Sequence, residues 1–348
     1  MECFVFVCYP TRFSRNKLDQ VQKWKGIPVR YFSGSSIYPN TMFKRLIQLL
    51  RGVFNCTWFC LTQANNFDAF FFSIPRWVDS IVGLRLCSAR GGVVFVDQTE
   101  LFSAGVNTLL HKLEERLIAK YSSTLFTISK RLQQYYQEQF SKTTILLPIV
   151  VNFSRFNSEI LVESRTIGYV GSFGSKDGVD LILDGFEQAC KTSNLPLKLK
   201  LIGSPHSSET LVEKIKQKDL SNRVELIINP SNQQINQLLP KCDTFIMNRT
   251  NSEFAKYGYP TKLGEYFACK RSVLMSEGPG FSEDYSDKVE AIKYEVENPQ
   301  ALADAIIWRY NNPDEADIIA QRGYDYAKKH FDSEVVGQIM SNAIENAS

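Results

Sequence analysis

No apolar stretch in these 348 residues approaches the roughly 20 that a membrane-spanning helix needs. Histidine is scarce: His111, His206 and His330 lie far apart and have no metal-ligand spacing. No Asp-x-Asp pair is present to hold a metal, and no obligatory metal is expected. An excess of one charge is missing as well. The 40 Lys and Arg exceed the 37 Asp and Glu by a formal +3, too little to argue for nucleic acid. The first residues, MECFVFVCYPTRFSR, lack a basic leader region and a small-residue cleavage site, so they read as a buried strand ending at Pro10. Eight cysteines sit in scattered apolar stretches. Cys56 and Cys60 come closest to a ligand spacing, but no Cys/His pair completes a site. Reduced thiols in a cytoplasmic protein are expected.

What the chain does contain is an ordinary globular composition, 44% hydrophobic and 22% charged, and enough length for two domains. Short apolar runs alternate with helical periods in both halves, which predicts α/β architecture with doubly wound parallel sheets. Strands are expected at Glu2–Tyr9, Val29–Phe32, Trp58–Thr62, Ala69–Ser73, Val93–Asp97, Thr124–Ile128 and Thr144–Leu147, with helices at Thr41–Val53 and Asn107–Ala119. The pattern restarts with strands at Thr166–Val170, Leu197–Ile202, Val224–Ile228 and Thr244–Met247. Helices at Val179–Lys191, Ser208–Lys218 and Asn232–Leu239 lie between them. The irregular stretch Asn152–Arg165 divides the halves, and the chain is helical from Asn298 to Ala347 except around Asn311–Asp314. The helix at Asn40–Phe54 carries Phe43, Leu46, Ile47, Leu50 and Phe54 at helical spacing beside Lys44, Arg45 and Arg51. It reads as a core helix in preference to a membrane-surface one, because its apolar face is wide.

The run GYPTKLGEYFACKRSVLMS, Gly258–Ser276, reads as a tight loop, a short helix and a buried strand. Gly258 and Pro260 set an abrupt turn, and Thr261 or Tyr259 can cap the helix. Free N–H groups at that helix start favour an anion such as a diphosphate. Glu265, one turn in from Thr261 and Lys262, can accept hydrogen bonds from two vicinal hydroxyls while the lysine meets phosphate. An amphipathic crossover with solvated polar residues fits the same spacing.

This run resembles the nucleotide-sugar signature of family-4 glycosyltransferases with the GT-B fold, in the PTKL-EY-A form common in bacterial surface-polysaccharide assembly. The resemblance is good from about residue 93 onward and poor before it. It implies two Rossmann-like domains around a cleft: an acceptor domain at 1–155, a nucleotide-sugar domain at 156–330, and a last helix at 331–348 returning to the first. IGYVGSFGSKDGVDLILDGF, Ile167–Phe186, is similar to the first strand–turn–helix of the donor domain. It has neither dinucleotide nor triphosphatase glycine spacing. Many relatives carry an arginine where this chain has Ser172 and a lysine where it has Asp177, so Lys176 is taken as the replacement charge. Gly203 and Ser204, in Leu197–His206, would face the donor, and a plain strand end fits them equally.

By the same resemblance, Gly171, Ser172, Phe173, Gly203, Arg249, Tyr259, Pro260, Thr261, Lys262 and Glu265 bind the donor, with Lys176 and Arg249 on the diphosphate. The double-glutamate pattern is broken, because Tyr257 stands eight residues before Glu265 and Glu253 is out of register. In VVFVDQTELF, Asp97 and Glu100 end a strand, where carboxylates can reach an acceptor hydroxyl; a helix cap at Thr99 with Glu100 solvated fits equally. Ser129 is expected to cap a helix, with Lys130 and Arg131 near the cleft. The implied function is transfer of a sugar, with retention, from a nucleotide sugar such as a UDP- or GDP-sugar to a glycan or lipid-linked glycan acceptor. It would take place in the cytoplasm or at the inner face of an anionic membrane. A UDP-sugar 2-epimerase of the same fold and a non-catalytic donor-binding subunit remain as alternatives.

Overall fold

Runs of β-branched and aromatic residues become parallel strands here, and the helical periods between them become covering helices. The computed structural model describes residues 4–7, 21–24, 26–34, 39, 41–73, 82–105, 108–156, 160–203, 208–278 and 280–347. The first half contains β1 (Val5–Val7), β2 (Val21–Trp24), β3 (Ile27–Tyr31), α1 (Met42–Thr62), β4 (Ala69–Ser73), α2 (Leu84–Ala89) and β5 (Val93–Gln98). It continues with α3 (Phe102–Gly105), α4 (Leu109–Tyr121), β6 (Thr124–Thr127), α5 (Lys130–Phe140) and β7 (Ile145–Leu146). The second half opens with β8 (Glu163–Gly171), α6 (Val179–Thr192), β9 (Lys198–Gly203), α7 (Ser208–Gln217), β10 (Val224–Ile228), α8 (Asn232–Leu238) and β11 (Cys242–Met247). Then come α9 (Glu253–Tyr257), α10 (Thr261–Ala268), β12 (Ser272–Glu277), β13 (Ile292–Glu295), α11 (Pro299–Asn311), α12 (Pro313–Phe331) and α13 (Ser333–Ala347).

The second half forms one parallel six-stranded sheet in the order β10-β9-β8-β11-β12-β13. Its order reverses between β8 and β11, and such a switch opens a crevice at the strands' carboxyl ends. α6 and α11 cover one face, with Ile182, Leu183, Phe186, Leu302 and Ile306 in a single buried cluster. α10 and α12 cover the other, where the Tyr266 ring stacks on Phe245 at 4.3 Å between centroids. The first half departs from the expected single sheet. Among the described residues it holds a parallel sheet β4-β5-β6-β7 and a separate sheet β1-β3-β2, in which β2 runs antiparallel to β3.

The strand expected at Trp58–Thr62 is instead the last turn and a half of α1. Aromatic and β-branched residues in CTWFCLT suggested a strand, but no proline interrupts the helix begun at Met42. The Thr62 hydroxyl donates to the Trp58 carbonyl in helical register. Only the inner side of this helix is packed, with Phe59 against Phe6, Phe32 and Phe67. The core reading of the earlier turns is overturned: Phe43 is 72% exposed and Phe54 66%, and within α1 only Gly52 and Cys60 are buried. β13 and α9 had no counterpart among the expected elements. Ser204 and His206 lie outside the described residues.

Several contacts join the halves among the described residues. α13 packs Val336 and Ala343 onto Phe95, Phe126 and Leu147 of the first half, and Val151 bridges Asp332. Ser129 caps α5 and also donates its hydroxyl to the Tyr257 carbonyl at 2.6 Å. Lys130 and Arg131 beside it pair with Asp284 and Glu283. Exposed pairs of this kind contribute about 0–1 kcal/mol each, so apolar packing carries most of the joint. No helix among the described residues is long and apolar enough to cross a membrane. Phe126 is fully buried beneath α13. Phe126→Ala is expected to lower stability by about 3–5 kcal/mol, measured as the shift in urea unfolding midpoint.

Candidate active site

The crevice at the switch point is a cavity of about 370 Å³. Its walls are the carboxyl ends of β8, β9 and β11, the glycine turn after β8, the Pro230–Ile235 segment and the start of α10. Eight of the residues expected to bind the donor or act in catalysis line it: Gly171, Ser172, Lys176, Gly203, Arg249, Pro260, Thr261 and Lys262. Lys176, Arg249 and Lys262 face a single carboxylate in that wall, Asp177, so the lining is net positive. Two of these cations also meet carboxylates outside the wall, Lys176 with Glu100 and Lys262 with Glu265, so the positive charge is local to the lining.

α10 opens on Pro260 with no side-chain cap, which corrects the capping expected of Thr261 or Tyr259. Its first amides therefore remain available to an anion. The helix is set against β8 by Tyr266, whose phenol oxygen accepts from the Val170 amide at 2.7 Å. Burial pushes the Tyr266 hydroxyl well above its ordinary value, so it stays protonated. Glu265 stands beside the cavity, not in its wall. One carboxylate oxygen pairs with Lys262 at 2.8 Å and the other faces Arg155 at 3.6 Å.

Asp177 was read only as a departure from the resemblance, yet it organises the glycine turn. Its carboxylate accepts from the Ser172 hydroxyl at 3.1 Å and the Gly174 amide at 3.2 Å, and lies 3.6 Å from Arg249. Asn248, 2% exposed, donates to the Asp177 and Gly178 carbonyls and accepts from Tyr294. Loss of such a buried amide would leave its partners unsatisfied, a cost of about 1–3 kcal/mol. Gly178 has φ +58°, where a side chain would strain the turn and press on Asn248. A Cβ at Gly203 would fall 1.8 Å from the Gly171 carbonyl, so strand packing already requires that glycine.

Phe173 and Tyr259 turn away from the cavity. Phe173 packs on Tyr169 and the α6–α11 core, while Tyr259 lies among Phe281, Tyr285 and Phe331. Glu100 crosses from the first half and reaches Lys176 at 3.4 Å. Asp97 lines neither this cavity nor the second one described below. Arg155, Asn248, Pro230 and Ile235 were missed. Pro230 and Ile235 follow the carboxyl end of a strand that was expected, which is the signal that would have found them. Arg155 lies in the irregular boundary stretch, where no local pattern marks it. His111 sits in the first turn of α4 and His330 packs on Tyr326, and neither lines either of these two cavities. Among the described residues no cluster of His, Cys, Asp and Glu could hold a metal.

Burial pushes the Asp97 carboxyl up to about 6, against a hydrogen bond from Ser73 that pulls it down. Between pH 3.8 and about 6 the folded chain retains a proton that the unfolded chain has lost. Stability therefore falls as pH rises through this window, and the full cost is present above it. Asp97→Asn is expected to raise Tm at pH 7.5 and to leave it unchanged near pH 3.5, checked by thermal unfolding at both pH values.

The model of the family described as glycosyl transferases group 1 matches residues 150–326, which contain the whole cavity wall. An uncharacterised glycosyltransferase of Methanocaldococcus jannaschii is 23% identical over 228 residues, 64% of this chain and 60% of that protein. The chain thus aligns with less than two thirds of that relative. Among solved structures, Anabaena HepE in complex with UDP and glucose has a TM-score of 0.73 at 16% identity, covering 92% of this chain and 87% of HepE. Sucrose-phosphate synthase of Thermosynechococcus elongatus has a TM-score of 0.75 at 15% identity, covering 99% of this chain and 88% of that one. These likenesses establish the two-domain α/β fold. The family model spans just over half of the chain and includes the switch-point cavity, and by that match the protein belongs to the glycosyl transferases group 1 family.

Proposed function

We propose that the protein is a family-4, retaining glycosyltransferase. It would move a sugar from a nucleoside-diphosphate sugar to a hydroxyl of a glycan acceptor, in the assembly of a polysaccharide. The observation that carries this reading is the convergence of Lys176, Arg249, Lys262 and the uncapped start of α10 on one cavity, with Glu265 beside it. The amides and cations suit a diphosphate, and Glu265 suits the vicinal hydroxyls of a ribose. Pro230 and Ile235 offer an apolar surface for the base. HepE was solved with UDP and glucose, which supports a nucleotide-sugar donor here.

In the proposed reaction the bond from the anomeric carbon to the diphosphate breaks and the acceptor oxygen bonds on the same face. The acceptor's proton passes to the departing phosphate oxygen. Lys176, Arg249 and Lys262 hold the charge that develops on the diphosphate, and no obligatory metal is assigned a part. Glu100, held by Lys176, and Asp97 are assigned to the acceptor hydroxyl. The halves are proposed to divide the work, with 1–155 taking the acceptor and 156–330 the donor.

A lipid-linked acceptor fits the outer face of α1, where Phe43, Leu46, Ile47 and Leu50 are exposed beside Lys44, Arg45 and Arg51. That combination supports peripheral contact with an anionic membrane from the cytoplasm. The 2-epimerase alternative uses a histidine as acid or base; His111 and His330 do not line the cavity, and His206, three residues past Gly203 of its wall, lies outside the described residues. Lys176→Ala and Glu265→Ala are each expected to cut transfer by at least about tenfold, roughly 1.4 kcal/mol, with the fold intact. Near-normal transfer in both would overturn the site. Thermal shift with UDP-, GDP-, TDP- and ADP-sugars identifies the base, because a bound donor raises apparent stability. Incubation with donor alone separates the alternatives: a second nucleotide sugar would mark an epimerase. Tight donor binding without transfer or hydrolysis would mark a non-catalytic subunit.

A further inference from the structure

A second cavity, larger at about 540 Å³, lies between α3, α4 and α5 of the first half and α9 of the second. It adjoins the first cavity along two short pieces of chain. Glu100 meets Lys176 of the first cavity while its neighbour Leu101 lines the second. Arg249 lines the first, and Glu253, on the next helix, lines the second.

The chemistry of its wall differs from that of the first. Lys112 and Arg131 are balanced by Glu138 and Glu253, so a phosphate gains nothing net. Gln134 and Gln139 add two amides, and Tyr135 and Tyr257 add two rings at 5.8 Å and 74°. Charge balance, planar hydrogen-bonding groups and fixed aromatic rings together suit an uncharged polyhydroxyl ligand. Its C–H faces pack on rings and its hydroxyls bridge amides and carboxylates.

The wall is held in place from behind. Glu115, 3% exposed, accepts from the Ser103 amide of α3 at 3.3 Å and from the Tyr135 hydroxyl of α5 at 2.7 Å. Burial and this carboxylate push the Tyr135 hydroxyl upward, so it remains a donor to Glu115. Tyr257 is fixed through its carbonyl by Ser129. A wall fixed before the ligand arrives lowers the ordering cost of binding.

We infer that the groove between α3, α4, α5 and α9 is a binding subsite for a neutral saccharide, the sugar units of the acceptor that lie beside the transfer point. Tyr257 then has a role that its position in the glutamate pattern conceals: it is an aromatic wall of this groove. The inference rests on the glycosyltransferase reading for its acceptor role but is tested without a donor.

The full chain is probed by saturation-transfer NMR and on an array of neutral oligosaccharides, including methyl glycosides of glucose, galactose, mannose and N-acetylglucosamine. UDP binding is measured in parallel. At least one neutral saccharide is expected to bind. The double variant Gln134→Ala/Glu138→Ala, on the exposed side of α5, is expected to weaken that binding at least about tenfold at unchanged Tm. Tyr257→Leu is expected to do the same. Absence of any neutral binder, binding unaffected by both variants, or preference for uronate- or phosphate-bearing glycans would each overturn the inference. Failure of UDP to bind would count against the donor cavity alone.

Discussion

A single buried amide, Asn248, ties together the parts on which the donor cavity depends. It stands just past the end of β11, donates to the carbonyls of the glycine turn after β8, and accepts from Tyr294 on β13. Those three segments come from different parts of the chain and meet only because the sheet order reverses between β8 and β11. With the turn so held, Asp177 stays folded over Ser172 and Gly174 and keeps Arg249 at the cavity wall. On the far side, Tyr266 sets α10 against Val170. Buried hydrogen bonds of this kind contribute modestly in net energy but are costly to break, which suits them to fixing geometry.

The halves meet through two chemically different kinds of contact. In one, α13 buries Val336 and Ala343 on Phe95 and Phe126, an apolar contact that dominates the energetics. In the other, Ser129, Lys130 and Arg131 reach Tyr257, Asp284 and Glu283 through hydrogen bonds and exposed ion pairs. Glu100 and Lys176 span the same boundary at 3.4 Å, between the two cavities. The second cavity, lined by residues of both halves, therefore depends on how they sit, and the Glu100–Lys176 pair links that boundary to the wall of the first.

Much of the second half was legible in the residues. The runs Thr166–Val170 and Val224–Ile228 fall within strands, Leu197–Ile202 begins one residue before β9, and Lys176, Arg249 and Lys262 line one cavity. Strand, glycine turn and helix follow one another closely there, so local pattern and tertiary position agree. The first ninety residues were less legible. CTWFCLT favours a strand by propensity, yet it continues a helix, because packing of Phe59 on Phe6 and Phe32 outweighs a local preference of tenths of a kilocalorie. The wide apolar face of α1 pointed to a core that is not there. Periodicity shows that a face is apolar, not what covers it.

By itself the sequence determined the alternation of strands and helices in the second half, the glycine turn and the cationic residue types available for a diphosphate. Those features follow from local periodicity and side-chain chemistry. Only the tertiary structure decided which of them share a wall. It placed Arg155 of the boundary stretch on Glu265, turned Phe173 and Tyr259 into the core, and gave Asp177 the task of holding the glycine turn. It also set Tyr257 against Tyr135 across the joint of the two halves. The physical reason is the same in each case: residues far apart in the chain meet only after the sheets are packed, and no local pattern encodes that meeting.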